Sequence, residues 1–127
     1  EADLEAMARL LDQLGACEDD NPRRAPLDFD FHAALGAAAH SGILHSLQLS
    51  LGQKVLAIMR KAIYRPKANA DGHREHTGIF TAIRDGQGER AARIMKKHLE
   101  KLEDGVRIHI ETHPMFAAAS EAEGDEA

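Results

Sequence analysis

Residues 27–35 read LDFDFHAAL and place an acid and a histidine on the apolar side of a helix. Asp28 and His32 are four residues apart, in register with the apolar positions that follow, so one helix face carries them all. The carboxylate and the imidazole are therefore expected one turn, about 5–6 Å, apart. A proline just before the stretch is typical of a first helical turn and predicts a helix over residues 26–39.

The rest of the chain has the same helical periodicity. Apolar residues recur every three or four positions between glycine and proline signals, which predicts further helices at residues 2–14, 43–64, 71–84 and 89–111. Residues 16–25 are polar and are predicted as a loop. No stretch alternates apolar and polar residues as a strand does, so the expected fold class is all-α, an antiparallel helix bundle. On the third helix the side predicted to face the core carries Leu44, Leu47, Leu51, Val55, Ile58 and Ala62.

Length and charge limit the classes of function. The 127 residues suit one domain, expected at residues 1–116, and the acidic end at 117–127 is expected to be disordered. A net charge of −5 excludes a strongly basic nucleic-acid-binding surface, and no apolar run is long enough for a membrane span. The single cysteine, Cys17, fits a reducing cytoplasm; in a polar loop it is a poor candidate nucleophile.

Ionisable residues stand in the apolar stripes of three predicted helices. Besides Asp28 and His32, His76 lies in line with the apolar residues of its helix, and so does His98. Burying these groups separately would cost several kcal/mol for an unpaired carboxylate and about 1–3 kcal/mol for each unsatisfied imidazole. One divalent transition metal bound by Asp28, His32, His76 and His98 would remove the cost of burying all four side chains. Zinc fits these donors first, followed by nickel, manganese and iron.

A plainer interpretation stays open at this point. A histidine on an apolar face is often a hydrogen-bonded core residue, and an acid and histidine four apart can form a simple ion pair. The other histidines suit a ligand role less well, although His73 is the best competitor. His109 is too far along its helix from His98, about 16 Å. Three more are expected at the surface: His40, His45 and His113.

Three strings within residues 27–102 resemble one known family. They are LDFDFHAAL, EHTGIFTAIRDG and AARIMKKHL. Together they resemble the C-terminal effector-binding (FCD) domain of FadR-like regulators in the GntR family of transcription factors. The matching positions are Asp28, Phe31, His32, Glu75, His76, Ala82, Ile83, Gly86, Met95, His98 and Leu99.

The resemblance implies a ligand-sensing domain, not an enzyme. In many members of the family the corresponding acid and three histidines bind a divalent metal inside the bundle, which selects Asp28, His32, His76 and His98 here. The implied effector is a small carboxylate metabolite. Arg60 is the candidate to neutralise it, and His73 is a second candidate for effector binding.

The resemblance also implies a longer regulator. Such a regulator is a homodimer that reaches DNA through a winged-helix domain, and its effector domain opens with an extra helix; neither is matched in this sequence. Two other functions stay open: a metal-dependent hydrolytic enzyme, with a metal-activated water, and a metal-free structural dimerisation module.

Overall fold

A computed structural model of the chain describes residues 1–17, 21–61 and 66–112. Within these residues the fold is all-α, as predicted, with no strand. No helix among them is long and apolar enough to cross a membrane. The five helices are α1 (Ala2–Ala16), α2 (Asn21–Ala38), α3 (Gly42–Lys61), α4 (Pro66–Arg84) and α5 (Gly88–Thr112).

The chain divides into two compact units, Glu1–Met95 and Lys96–Ala127. In the first unit α2 packs against α1 and α3, and α1 also packs against α4. The core of this unit lies between α1 and α2, where four fully or nearly fully buried side chains meet: Met7, Leu11, Leu14 and Phe31. Burying each of these side chains stabilises the fold by about 1.5–3 kcal/mol.

The start of α2 differs from the prediction. The helix begins at Asn21, so residues 21–25, predicted as loop, are helical, and Pro26 lies inside the helix. Pro26 has no N–H to donate to the preceding turn, which disfavours this position. The extra turn buries Arg24 and Ala25, which are 3% and 1% exposed, and this packing outweighs the missing hydrogen bond.

The face that α3 turns inward was predicted wrongly. Three leucines expected in the core are between 56% and 63% exposed: Leu44, Leu47 and Leu51. The positions that face α2 include Gln48 and Gly52, and the absence of a side chain on Gly52 admits the ring of Phe29. Leu56 is the buried leucine of this helix. The side chain of Ile58, and Ala62 altogether, lie outside the described residues.

The last two helices are close to their predicted ranges. Helix α4 starts at Pro66, five residues early, because proline is well tolerated at a first helical position. It ends in a turn in which Gly86 has a φ of 71°, in the left-handed region that glycine adopts without strain. Residues 113–127, which include the predicted tail, lie outside the described residues.

Candidate metal centre

The acid and histidine of α2 lie side by side. The spacing of Asp28 and His32 places both on the inner face of the helix, and 3.7 Å separates Oδ1 of Asp28 from Nε2 of His32. Their side chains are 12% and 22% exposed, respectively, so a small part of each still reaches solvent. The pair predicted from the four-residue spacing is therefore present.

Helix α4 brings a second histidine to the same carboxylate. His76 is completely buried, and its Nδ1 lies 3.8 Å from Oδ2 of Asp28. Its ring packs at a tilt against Phe31, with 4.8 Å between centroids, and meets the ring of His32 edge-on at 5.0 Å. Asp28 thus has an imidazole beside each of its two oxygens, one from its own helix and one from α4.

The separations between these donor atoms suit a shared ion. At 3.7 and 3.8 Å they are longer than an N–H···O hydrogen bond of about 2.7–3.2 Å. Two ligands bound tetrahedrally at about 2.0–2.2 Å from one zinc ion lie roughly 3.4 Å apart. Each of the two distances is a few tenths of an ångström wider than that spacing, and the two involve different oxygens of the Asp28 carboxylate. Two imidazoles and one carboxylate are also the donor types that zinc and neighbouring transition metals accept.

His98 belongs to the second unit and lies on α5. Its side chain is half-buried, on the same side of the helix as Ile94 and Met95 rather than with the exposed Leu99. The fourth ligand position thus stays a prediction from the sequence.

The two candidate effector residues are His73 on α4 and Arg60 on α3. His73 is half-buried against α1, where a Cβ placed on Gly15 would lie 3.3 Å from its Nε2. Arg60 lies within α3, but its side chain is outside the described residues, so its role stays a prediction.

The remaining histidines and the cysteine have mixed outcomes. His40 is exposed, as predicted, and its Nε2 lies 3.0 Å from Oδ2 of Asp3. His45 is half-buried rather than at the surface, and Cys17 is buried, 3% exposed, with its thiol donating to the carbonyl of Gln13. The side chain of His109, and His113, lie outside the described residues.

Two polar side chains that support the ligand helices were not predicted from the sequence. Gln48 on α3 donates its amide N–H to the main-chain carbonyl of His32. Arg24 on α2 is 3% exposed and donates to main-chain carbonyls of α1 and α4. Arg24 stands four residues before Asp28, in the same helical register. That spacing identifies it only once α2 is known to start at Asn21.

Comparison with known proteins identifies a family for this chain. No curated protein and no solved structure matches this chain. A family model, the FCD domain, matches residues 1–101, about four-fifths of the sequence. That span covers α1 to α4 and the part of α5 that carries His98. The chain therefore belongs to the FCD domain family, the C-terminal ligand-sensing domains of GntR-family transcriptional regulators.

Proposed function

We propose that this FCD domain senses a small carboxylate metabolite through one divalent transition metal, bound by Asp28, His32, His76 and His98. Zinc is the first choice of ion, and nickel, manganese and iron suit the same mixture of nitrogen and oxygen donors. The observation that carries the proposal is the grouping of one carboxylate with two imidazoles, at 3.7 and 3.8 Å, in the interior of the first unit.

Charge balance favours an ion at this position. A largely buried carboxylate such as Asp28 loses hydration and needs a compensating positive charge nearby. A divalent ion bound beside the carboxylate supplies that charge, which a neutral imidazole does not. Neutral imidazoles do, however, present lone pairs to a metal ion, so His32 and His76 fit the role of ligands.

His98 is proposed as the fourth ligand on two grounds. It stands in the family's Met-x-x-His-Leu pattern, here Met95 to Leu99, and it shares a helix face with half-buried apolar residues. With three nitrogens and one oxygen from the protein, an ion that takes five or six ligands would keep open positions.

Metabolite binding is the finer part of the proposal. When bound, a divalent ion with open positions accepts a carboxylate oxygen directly. Arg60 is proposed to neutralise a second oxygen of the same metabolite by a charge-assisted hydrogen bond, with His73 as the other candidate. The domain acts here as a sensor and not as a hydrolase.

The whole regulator is proposed to be a cytoplasmic homodimer. DNA would be bound by a winged-helix domain, since the net charge of −5 gives the present chain no strongly basic surface of its own. Metabolite binding changes DNA binding only if the two conformations of the dimer differ in their affinity for the metabolite.

The metal is tested first, on the chain purified without a histidine tag. Native mass spectrometry and elemental analysis are expected to find one transition-metal ion per chain. Adding zinc to the metal-free protein is expected to raise its Tm, because an ion that binds only the folded state stabilises it. Less than half an equivalent of metal, with no rise in Tm, would favour the metal-free dimerisation module.

The metabolite is tested on the same protein with and without zinc. A panel of small mono- and dicarboxylates is screened by thermal denaturation. At least one is expected to raise the Tm of the zinc-loaded protein and to leave the metal-free protein unchanged. Equal shifts in both forms would contradict metal-mediated sensing, and zinc-dependent hydrolysis of simple esters would favour the enzyme.

A further inference from the structure

Arg24 is a buried cation for which the proposed sensing mechanism has no use. It lies on α2, one turn before Asp28, and only 3% of it is exposed. Its Nη1 donates to the carbonyl of Leu14 on α1 at 3.3 Å, and its Nη2 donates to the carbonyl of Asn69 on α4 at 2.9 Å. One side chain therefore joins three helices through main-chain atoms.

These bonds depend on arginine rather than on positive charge alone. No carboxylate among the described residues pairs with Arg24, whose hydrogen-bond acceptors are both main-chain carbonyl oxygens. Leu14 lies in the last turn of α1, which holds no basic residue, and its carbonyl accepts from the N–H of Cys17 as well as from Arg24. The planar guanidinium reaches two acceptors in fixed directions, which a lysine ammonium on a flexible stem does not reproduce.

The position of Arg24 relates it to the candidate metal centre. Asn69 precedes His76 by seven residues, two turns of α4, and Arg24 precedes Asp28 by one turn of α2. The hydrogen bond from Arg24 to Asn69 therefore joins α2 and α4 near the contact between Asp28 and His76, closer to the N-termini of both helices. Helices α2 and α4 each pack against α1, and Arg24 bonds to that helix as well.

The guanidinium of Arg24 also lies beside Gly72 of α4. A Cβ on Gly72 would lie 3.6 Å from Nη2 of Arg24, an ordinary van der Waals distance, so the guanidinium passes close to the backbone of α4. The contact between Arg24 and α4 is thus close as well as hydrogen-bonded.

We propose that Arg24 is a positioning residue for the metal centre. It holds α2 and α4 in the relative rotation and axial position that bring Asp28 and His76 together. The inference rests on the proposed metal site. It assigns to Arg24 no contact with the ion. Loss of the guanidinium would leave both ligands in the chain but would let their helices shift relative to each other.

The test compares Arg24→Met and Arg24→Lys with Arg23→Met, a control at the neighbouring exposed arginine. Zinc affinity is measured by competition with a chromophoric chelator, at a temperature where circular dichroism shows each variant to be folded. Arg24→Met is expected to weaken zinc binding at least tenfold, and Arg24→Lys by less, since lysine can reach one of the two carbonyls. Arg23→Met is expected to bind within twofold of wild type.

Cobalt(II) provides a readout that a purely stabilising role would not change. Its visible absorption reports coordination geometry, and Arg24→Met is expected to alter the spectrum whereas Arg23→Met is not. Wild-type affinity and an unchanged spectrum in folded Arg24→Met would overturn the inference. If Arg24→Met does not fold, the same two measurements on Arg24→Lys decide in the same way. Failure of the wild-type chain to bind zinc would instead overturn the proposed function, and the inference with it.

Discussion

Asp28 is the residue on which the candidate metal centre depends, because it adjoins both His32 and His76. The first of these contacts follows from the sequence, since four residues along a helix place two side chains on one face. The second depends on how α2 and α4 are placed, which local periodicity does not encode. The sequence shows only that His76 stands in an apolar stripe, and from that position a solitary core histidine was an equal alternative.

Replacing Asp28 with asparagine tests its role while keeping its shape. Asp28→Asn removes the negative charge and one of the two carboxylate oxygens, so stoichiometric zinc binding is expected to be lost. The Tm of the metal-free protein is expected to change little, because the isosteric amide creates no cavity. Chelator competition measures the first effect and calorimetry the second.

His40→Asn is the matched control for this change. His40 is exposed and has a φ of 53°, a left-handed conformation that asparagine tolerates. Zinc binding equal to that of wild type is expected. Loss of zinc binding in His40→Asn as severe as in Asp28→Asn would show that the ligands have been assigned wrongly.

At the scale of the helices, the sequence predicts which segments are helical better than it predicts where each helix begins and which of its faces is buried. All five helices are present, because apolar residues at three- and four-residue spacing are a strong local pattern. The start of α2 was not predicted, because Pro22 and Pro26 locally indicate a loop that ends at residue 25. In the folded protein, burial of Arg24 and Ala25 favours a helix there instead. On α3, counting leucines pointed to the wrong face, because the contact with α2 uses a glycine and a glutamine.

The contact of Gly52 with Phe29 makes the packing of α3 testable. A Cβ on Gly52 would lie 2.7 Å from Cε2 of Phe29, so Gly52→Ala is expected to lower the free energy of unfolding by about 1–3 kcal/mol. Gly105→Ala, in α5, is the control because nothing lies within 4 Å of its Cβ position. There alanine is expected to stabilise by up to ~1 kcal/mol through its higher helix propensity. Urea denaturation of both variants measures the difference, and equal effects would contradict the described packing.

At the scale of the whole molecule, the composition and the order of the matched motifs indicate the fold class and the family better than the pattern of any single helix does. The three matched strings indicate an all-α domain of a known family, and the family model confirms the family over residues 1–101. Which helices pack together, and where the buried Arg24 bonds, depends on contacts between residues distant in sequence. Those contacts have no local pattern from which they could be read.

The exposed leucines of α3 give a prediction for the stability of the chain. Leu47 is 56% exposed, so Leu47→Gln is expected to change the free energy of unfolding by no more than about 0.5 kcal/mol. Leu56 lies on the same helix and is 8% exposed, so Leu56→Ala is expected to lower the free energy of unfolding by about 2–5 kcal/mol. Thermal or urea denaturation distinguishes the two faces. A greater loss at Leu47 than at Leu56 would mean that α3 is rotated from its described orientation.

The most direct measurement of the central claim is an anomalous difference map, recorded at the zinc absorption edge from crystals of the zinc-loaded chain. One strong peak per chain is expected, bounded by Asp28, His32, His76 and His98. A peak at another place in the chain, or no peak in a protein that retains its fold, would contradict a metal-dependent sensor.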